Sequence, residues 1–297
     1  MNIKIVLLTL IILLGFTVRF YKLGSIPQSV YGDEIAFSWN AYSILKTGLD
    51  EYGISYPLQF RSFGDYKSPL PVYILVPFIW AFGLSALTIR SVVVIFATLS
   101  IIFVYLLTQE SQKVFLGGKV FTKLSLLSAF LFAISSWHIH LSRGYFEATI
   151  ALFFTISASY FLLKGMQQLR YAYLSIFFFT LSCYTYFTPR ITAPLMIVSF
   201  LFYLKLVLRK YSLKNILLLI VSFFLLISPL IFLSATKEGS SRFTYLMGNR
   251  LNQAFEDAAL EQRSESKSYL LRKLIHNKWI VLARVIKNDG KAKKIKD

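Results

Sequence analysis

The sequence predicts an all-α polytopic membrane protein, and three observations lead there. The 297 residues are 56% apolar, 17% aromatic and only 15% charged, with a mean hydropathy of +0.60, whereas soluble domains carry about 25% charged residues. Apolar runs recur at 3–18, 69–84, 88–108, 124–140, 146–164, 172–187, 190–208 and 215–233, and a membrane span needs roughly 20 residues. Carboxylates are scarce before position 234. Five of the seven, Asp33, Glu34, Asp50, Glu51 and Asp65, fall in one short stretch, and the others are Glu110 and Glu147. A carboxylate is costly to take out of water, so this clustering marks a wet, polar site at a membrane face.

The first run follows Lys4 and is not followed by a small-residue cleavage site, so it reads as an uncleaved span flanked by Arg19 and Lys22. The run at 69–84 has 16 residues and contains Pro69, Pro71 and Pro77. At about 1.5 Å per residue it covers roughly 24 Å of a hydrocarbon core about 30 Å thick. Loop charge decides its status. If 69–84 is not a full span, Lys113, Lys119, Lys123, Lys164, Arg170, Lys205, Arg209, Lys210 and Lys214 share one side, and the alternating turns carry only Arg143 and Arg190. Cations mark the cytoplasmic side. The expectation is therefore seven spans with the N-terminus inside, the run at 69–84 lying in or dipping into the outer leaflet.

That topology makes residues 21–87 one long first extracytoplasmic loop, and it puts the turns at 138–145 and 187–190 on the same side. Within the loop, Asp33 to Leu45 reads as a surface helix. Ile35, Trp39 and Tyr42 form an apolar face, Gly32-Asp33 is the start signal and Thr47-Gly48 the stop. The expected organisation is a transmembrane module over 1–235 and a basic, partly disordered extracytoplasmic tail over 236–297.

Several function classes are excluded. The net charge of +18 collects in the tail and at the ends of apolar runs, which is not a nucleic-acid footprint. Cys183 is the one cysteine and sits in an apolar run, so no disulfide framework or zinc-type spacing exists. His138 and His140 are two residues apart and do not share a helix face. P-loop, dinucleotide-binding and familiar protease motifs are absent.

Four constellations could carry chemistry. Asp33-Glu34 is either a helix-start carboxylate pair or a general base that takes the proton of an attacking hydroxyl. Gly64-Asp65-Tyr66-Lys67-Ser68-Pro69 is either a turn before a helix or a cation held at the lipid boundary to meet a phosphate. Arg143 and Glu147 are four apart at the outer end of a span, either a local ion pair or a guanidinium fork for a phosphate. Tyr184-Thr185-Tyr186 with Arg190 is either an interfacial aromatic belt or a second phosphate or sugar ligand.

Together these residues resemble the membrane glycosyltransferases that use polyprenyl-phosphate sugars, with the glycosyltransferase-C-type fold, among them protein O-mannosyltransferases and lipid A aminoarabinose transferases. The resemblance runs through Arg19-Phe20, Gly32-Asp33-Glu34, Asn40-Ala41-Tyr42, Thr47-Gly48-Leu49-Asp50, Asp65-Tyr66-Lys67-Ser68-Pro69-Leu70, Tyr73, Phe82-Gly83-Leu84-Ser85, Arg90, Trp137-His138, Ser142-Arg143, Phe146-Glu147, Tyr184-Thr185-Tyr186 and Arg190, over about residues 10–235. It implies a seven-span module with a long first loop. Asp33 would be the catalytic base, assisted by Glu34. Lys67 would hold the carrier phosphate, with Asp65 near the donor sugar; Arg143 and Glu147 would line the cavity, Arg143 helping Lys67 to stabilise the phosphate charge, and Arg190 is a second candidate phosphate or sugar ligand. Aminoarabinose transferases carry a Glu directly before this Lys, and here Tyr66 fills that place.

The implied activity is transfer of a sugar from the carrier to a glycan, lipid or protein acceptor at the outer face of the plasma (inner) membrane, with inversion. No cofactor is expected to be essential. A divalent metal could bind Asp33, Glu34 and Asp65, but carboxylates alone do not select one. Relatives usually carry further spans, and the likeness fades after Trp279, so a truncated and inactive member is one alternative. A lipid or sugar transport protein is the other, and would place charges inside several spans.

Overall fold

The computed structural model describes residues 3–62, 65–206 and 212–234; the tail expected over 236–297 lies outside the described residues. Among the described residues each apolar run is helical over most of its length. In chain order the elements are α1 (Ile3–Phe20), α2 (Gly32–Thr47), β1 (Phe60–Ser62), β2 (Asp65–Lys67), α3 (Pro69–Phe82), α4 (Ala86–Phe115), α5 (Thr122–Ala133), α6 (Ser136–Ser142), α7 (Glu147–Gly165), α8 (Leu169–Thr185), α9 (Thr188–Leu206) and α10 (Leu213–Ser234). Among the described residues four helices, α1, α4, α7 and α10, are long and apolar enough to cross a membrane, or five crossings if α5 and α6 count as one. α8 has 17 residues and the apolar part of α9 is Thr188–Phe202, both short of that length. The chain is a multi-pass membrane protein.

One expected span is bent. The run at 124–140 is not straight: α5 and α6 meet at a 53° bend. No proline or glycine marks it. A side chain from another element holds it instead, because Arg19 donates from Nη1 to the carbonyl of Ala133 (2.8 Å) and from Nη2 to that of Phe132 (3.4 Å). The last carbonyls of a helix lack intrahelical partners, and a guanidinium satisfies two of them here.

The chain divides into two compact units. One comprises Met1–Leu23 and Arg90–Ser228. Its packing relies on small residues. Ile101, Ala129 and Ala133 form a buried cluster against Leu8, Ile11, Ile12, Tyr105 and Phe132. A Cβ on Gly15 would lie 2.3 Å from Ile101 Cδ1, so a side chain there would push Ile101 aside. α7 and α8 are tied by hydroxyls: Ser175 Oγ donates to the Ala158 carbonyl (2.8 Å) and Ser182 Oγ to that of Ala151 (3.0 Å). Such bonds hold helices together where lipid supplies no hydrophobic drive.

The other unit comprises, among the described residues, Gly24–Ile89 and the end of α10 from Pro229. α2 runs where the start and stop signals put it. Gly48 ends it with φ 72° and its N–H on the Ile44 carbonyl at 2.9 Å, a left-handed cap that glycine adopts without strain. The Ile35, Trp39 and Tyr42 face is half-buried, while Ala36, Phe37, Ala41 and Ile44 form a second, fully buried face. The helix is apolar on both sides. α3 starts on Pro69 and Pro71, buries Val72 and Leu75 and leaves Trp80 and Phe82 exposed. Between α2 and α3 lies an antiparallel hairpin, β1 with β2, that the sequence reading did not anticipate.

Candidate active site

The polar centre of the second unit is built on the N-terminus of α2. Tyr31 is the N-cap, so Asp33 and Glu34 occupy the first turn. Glu34 is buried, and its Oε2 accepts from the Tyr31 backbone N–H at 3.0 Å. This is the returning half of a capping box. The helix-start role considered for the pair therefore falls to Glu34, and Asp33 points elsewhere. Asp33 Oδ1 lies 2.9 Å from Lys67 Nζ, with the two side chains 28% and 9% exposed.

The hairpin aims Lys67. In its register Phe60 faces Lys67, Arg61 faces Tyr66 and Ser62 faces Asp65. Opposed residues share a sheet face and alternate residues return to it, so Phe60, Ser62 and Lys67 lie on one side, and all three are buried. Phe60 packs edge-on against Tyr73 of α3 at 5.6 Å between centroids, and Tyr73 OH donates to the Pro57 carbonyl (2.7 Å). That anchors the hairpin on α3 and carries Lys67 to α2. Asp65 belongs to β2, and its side chain lies outside the described residues.

A second carboxyl on the same unit received no role from the sequence. Asn40 sits seven residues after Asp33, two turns along the same α2 face. Its Nδ2 donates to Glu51 Oε1 (3.1 Å), and its Oδ1 accepts from the Glu51 backbone N–H (3.1 Å). Burial pushes the Glu51 carboxyl up to about 7, against the Asn40 hydrogen bond and with help from the Asp50 charge. Asp50 itself organises the loop, Oδ1 accepting from the N–H groups of Tyr52 (2.9 Å) and Ile54 (2.8 Å).

Arg143, Glu147 and Arg190 belong to the first unit. Arg143 and Glu147 are not neighbours on one helix: Arg143 follows α6 and Glu147 opens α7, with a turn between them. The four-residue spacing assumed an unbroken helix there. Arg143 Nη1 donates to the carbonyls of Val18 (3.1 Å) and Arg19 (3.0 Å) at the end of α1. Burial, with the charge of Arg90, lowers the Arg143 guanidinium from its usual value. Arg90 Nη1 donates to the Leu23 carbonyl (3.1 Å) just beyond the same helix. Arg190 Nε donates to the Cys183 carbonyl (3.2 Å) near the end of α8, and its guanidinium sits 5.7 Å from the Phe187 ring centroid. Cations are favoured at these negative helix ends. Glu147 is buried in the first turn of α7, the opposite and complementary end.

Among the described residues no group of three or more His, Cys, Asp or Glu side chains could hold a metal ion. His138 is buried while His140 is exposed, as their two-residue spacing requires. Arg19 Nη2 lies 2.9 Å from His138 Nδ1. Arginine only donates, so Nδ1 accepts and the ring proton is on Nε2.

No family model and no curated protein sequence matches the chain. Its structure is similar to the crystal structure of the Archaeoglobus fulgidus oligosaccharyltransferase in the apo form, with a TM-score of 0.57 and 19% identity. The likeness is one of fold. It covers 76% of this chain and 29% of the oligosaccharyltransferase, so the chain spans less than a third of that protein's length.

Proposed function

We propose that this protein is an integral-membrane glycosyltransferase that moves a sugar from a polyprenyl-phosphate carrier to an acceptor hydroxyl on the extracytoplasmic face. The observation that carries the reading is the Asp33–Lys67 pair at 2.9 Å. It supplies the two groups an inverting displacement needs, a base and a cation, from two different elements. The fold shared with an oligosaccharyltransferase supports it. In the proposed topology α1, α4, the bent α5–α6 pair, α7, α8, α9 and α10 make seven crossings, and residues 21–87 face outward.

In this mechanism the carrier phosphate takes up the Lys67 ammonium, which releases Asp33 from its ion pair. The acceptor oxygen then attacks the anomeric carbon from the face opposite the phosphate. The bond from that carbon to the phosphate oxygen breaks, the acceptor proton passes to Asp33, and the bonding electrons leave with the phosphate. Lys67 stabilises the charge that develops there. No second carboxylic acid is needed to protonate the leaving group, because phosphate is already stable as an anion; hydrolytic inversion differs in this respect. Glu34 keeps the first turn of α2 in place, which orients Asp33.

The test is transfer of labelled sugar from polyprenyl-phosphate donors in membranes containing the wild-type chain, with Asp33→Asn as control. Transfer that disappears in the variant at equal abundance is the expected result. Retained anomeric configuration in the product would overturn the mechanism.

A further inference from the structure

Ser62 is an anomaly of the second unit. It is 2% exposed, and among the described residues its Oγ has no hydrogen-bond partner. Buried hydroxyls nearly always find a partner, and one that does not calls for an explanation. A serine left in this state destabilises the empty protein relative to alanine. Its position supplies the explanation. Ser62 shares the buried hairpin face with Phe60 and Lys67. It stands diagonal to Lys67 across the ladder, about 7–8 Å between backbone positions, a separation that a long side chain bridges.

We propose that Ser62 is a second binding residue for the carrier phosphate, donating from Oγ to one phosphate oxygen while Lys67 takes another. The proposal rests on the reading of Lys67 given above and adds a residue to it. The chemistry of the face favours a phosphate over a sugar hydroxyl. A lysine ammonium only donates and a serine hydroxyl donates readily. A phosphate offers several strong acceptor oxygens and matches these two donors; Asp65, which the register places opposite Ser62 on the same face, has its side chain outside the described residues. Asp33, 2.9 Å from Lys67 Nζ, is the group to be displaced from it. The hairpin is held against α3 by the Phe60–Tyr73 contact, so the hydroxyl is positioned before the ligand arrives.

The experiment compares wild type with Ser62→Ala, each purified into nanodiscs of phosphatidylethanolamine and phosphatidylglycerol. Affinity for a sugar-free polyprenyl phosphate and for the corresponding polyprenol is measured, with the thermal midpoint of each unliganded protein. The expected result is polyprenyl phosphate binding weakened roughly 10- to 100-fold, the range of a hydrogen bond to a charged group. Polyprenol binding should be unchanged, and the midpoint unchanged or raised. Equal phosphate affinity in the two proteins would overturn the role of Ser62 and leave the transferase reading standing. Equal losses for phosphate and polyprenol, or a lowered midpoint, would make Ser62 structural and overturn it as well. Failure of folded wild type to bind polyprenyl phosphate would remove both the proposal and the reading beneath it.

Discussion

Arg19 and Lys67 are both buried cations, and the protein treats them differently. Arg19 is 0% exposed. Among the described residues it meets no carboxylate: its donors go to the carbonyls of Gly15, Ala133 and Phe132 and to His138 Nδ1. Those partners are fixed backbone and a packed ring, so the guanidinium works as a permanent clamp on the α5–α6 bend. Lys67 keeps slight exposure and faces Asp33, a carboxylate with 28% of its side chain exposed. A point charge on a flexible stem can exchange one anion for another, whereas a planar fork fitted to several carbonyls cannot do so cheaply. The difference separates a cation that maintains structure from one suited to meeting a ligand.

The sharpest way to break this comparison is Asp33→Asn. Under the proposed mechanism, loss of the base should lower sugar transfer by about 10²–10⁴-fold, with a far smaller effect on the thermal midpoint. Equal loss of stability and activity would make the pair an ordinary structural bridge. Next in size is Arg19→Met, which strips the bend of its clamp and leaves buried carbonyls without donors. We expect about 3 kcal/mol of destabilisation, read as a lower midpoint in detergent, with Arg19→Lys intermediate. A variant as stable as wild type would show that the bend does not depend on Arg19.

Glu34 tests the helix beneath Asp33. Glu34→Ala should lose about 1 kcal/mol through the missing cap bond, and Glu34→Gln almost none, because the amide oxygen still accepts. Abolition of transfer by Glu34→Gln at unchanged stability would instead give Glu34 a direct part in the chemistry. The smallest effect is a change of slope. The Glu51 carboxyl, raised from 4.5 to about 7, keeps a proton in the folded chain that the unfolded chain releases. Stability from this group therefore falls as pH rises between those values. Glu51→Gln should flatten that part of a midpoint-against-pH curve, and an unaltered slope would mean that water reaches the carboxyl.

Local features were legible in the residues. Apolar runs long enough to bury their own backbone bonds became helices, because an α-helix satisfies its hydrogen bonds within the segment. The end of α2 at Gly48 and the proline start of α3 follow from residue types that permit little else. Asp33 and Lys67 were both picked out, but nothing between them in the chain states that they touch. Their pairing depends on a hairpin of two three-residue strands, too short to leave a readable alternation.

Arg143 shows the same limit. It was picked out at the end of an apolar run, and its Nη1 bonds to carbonyls more than 120 residues earlier could not be read from the chain. The bend at α5–α6, the reciprocal bonds between Asn40 and Glu51, and the unsatisfied hydroxyl of Ser62 were hidden for the same reason.

The sequence by itself determined that this is a helical membrane protein, which segments are helical, and that five of the seven carboxylates before position 234 fall in one short stretch, because hydrophobicity and backbone hydrogen bonding act between near neighbours. Tertiary structure alone decided which buried polar groups meet and which helix is broken, because a buried donor or acceptor must be satisfied by whatever folding brings alongside it.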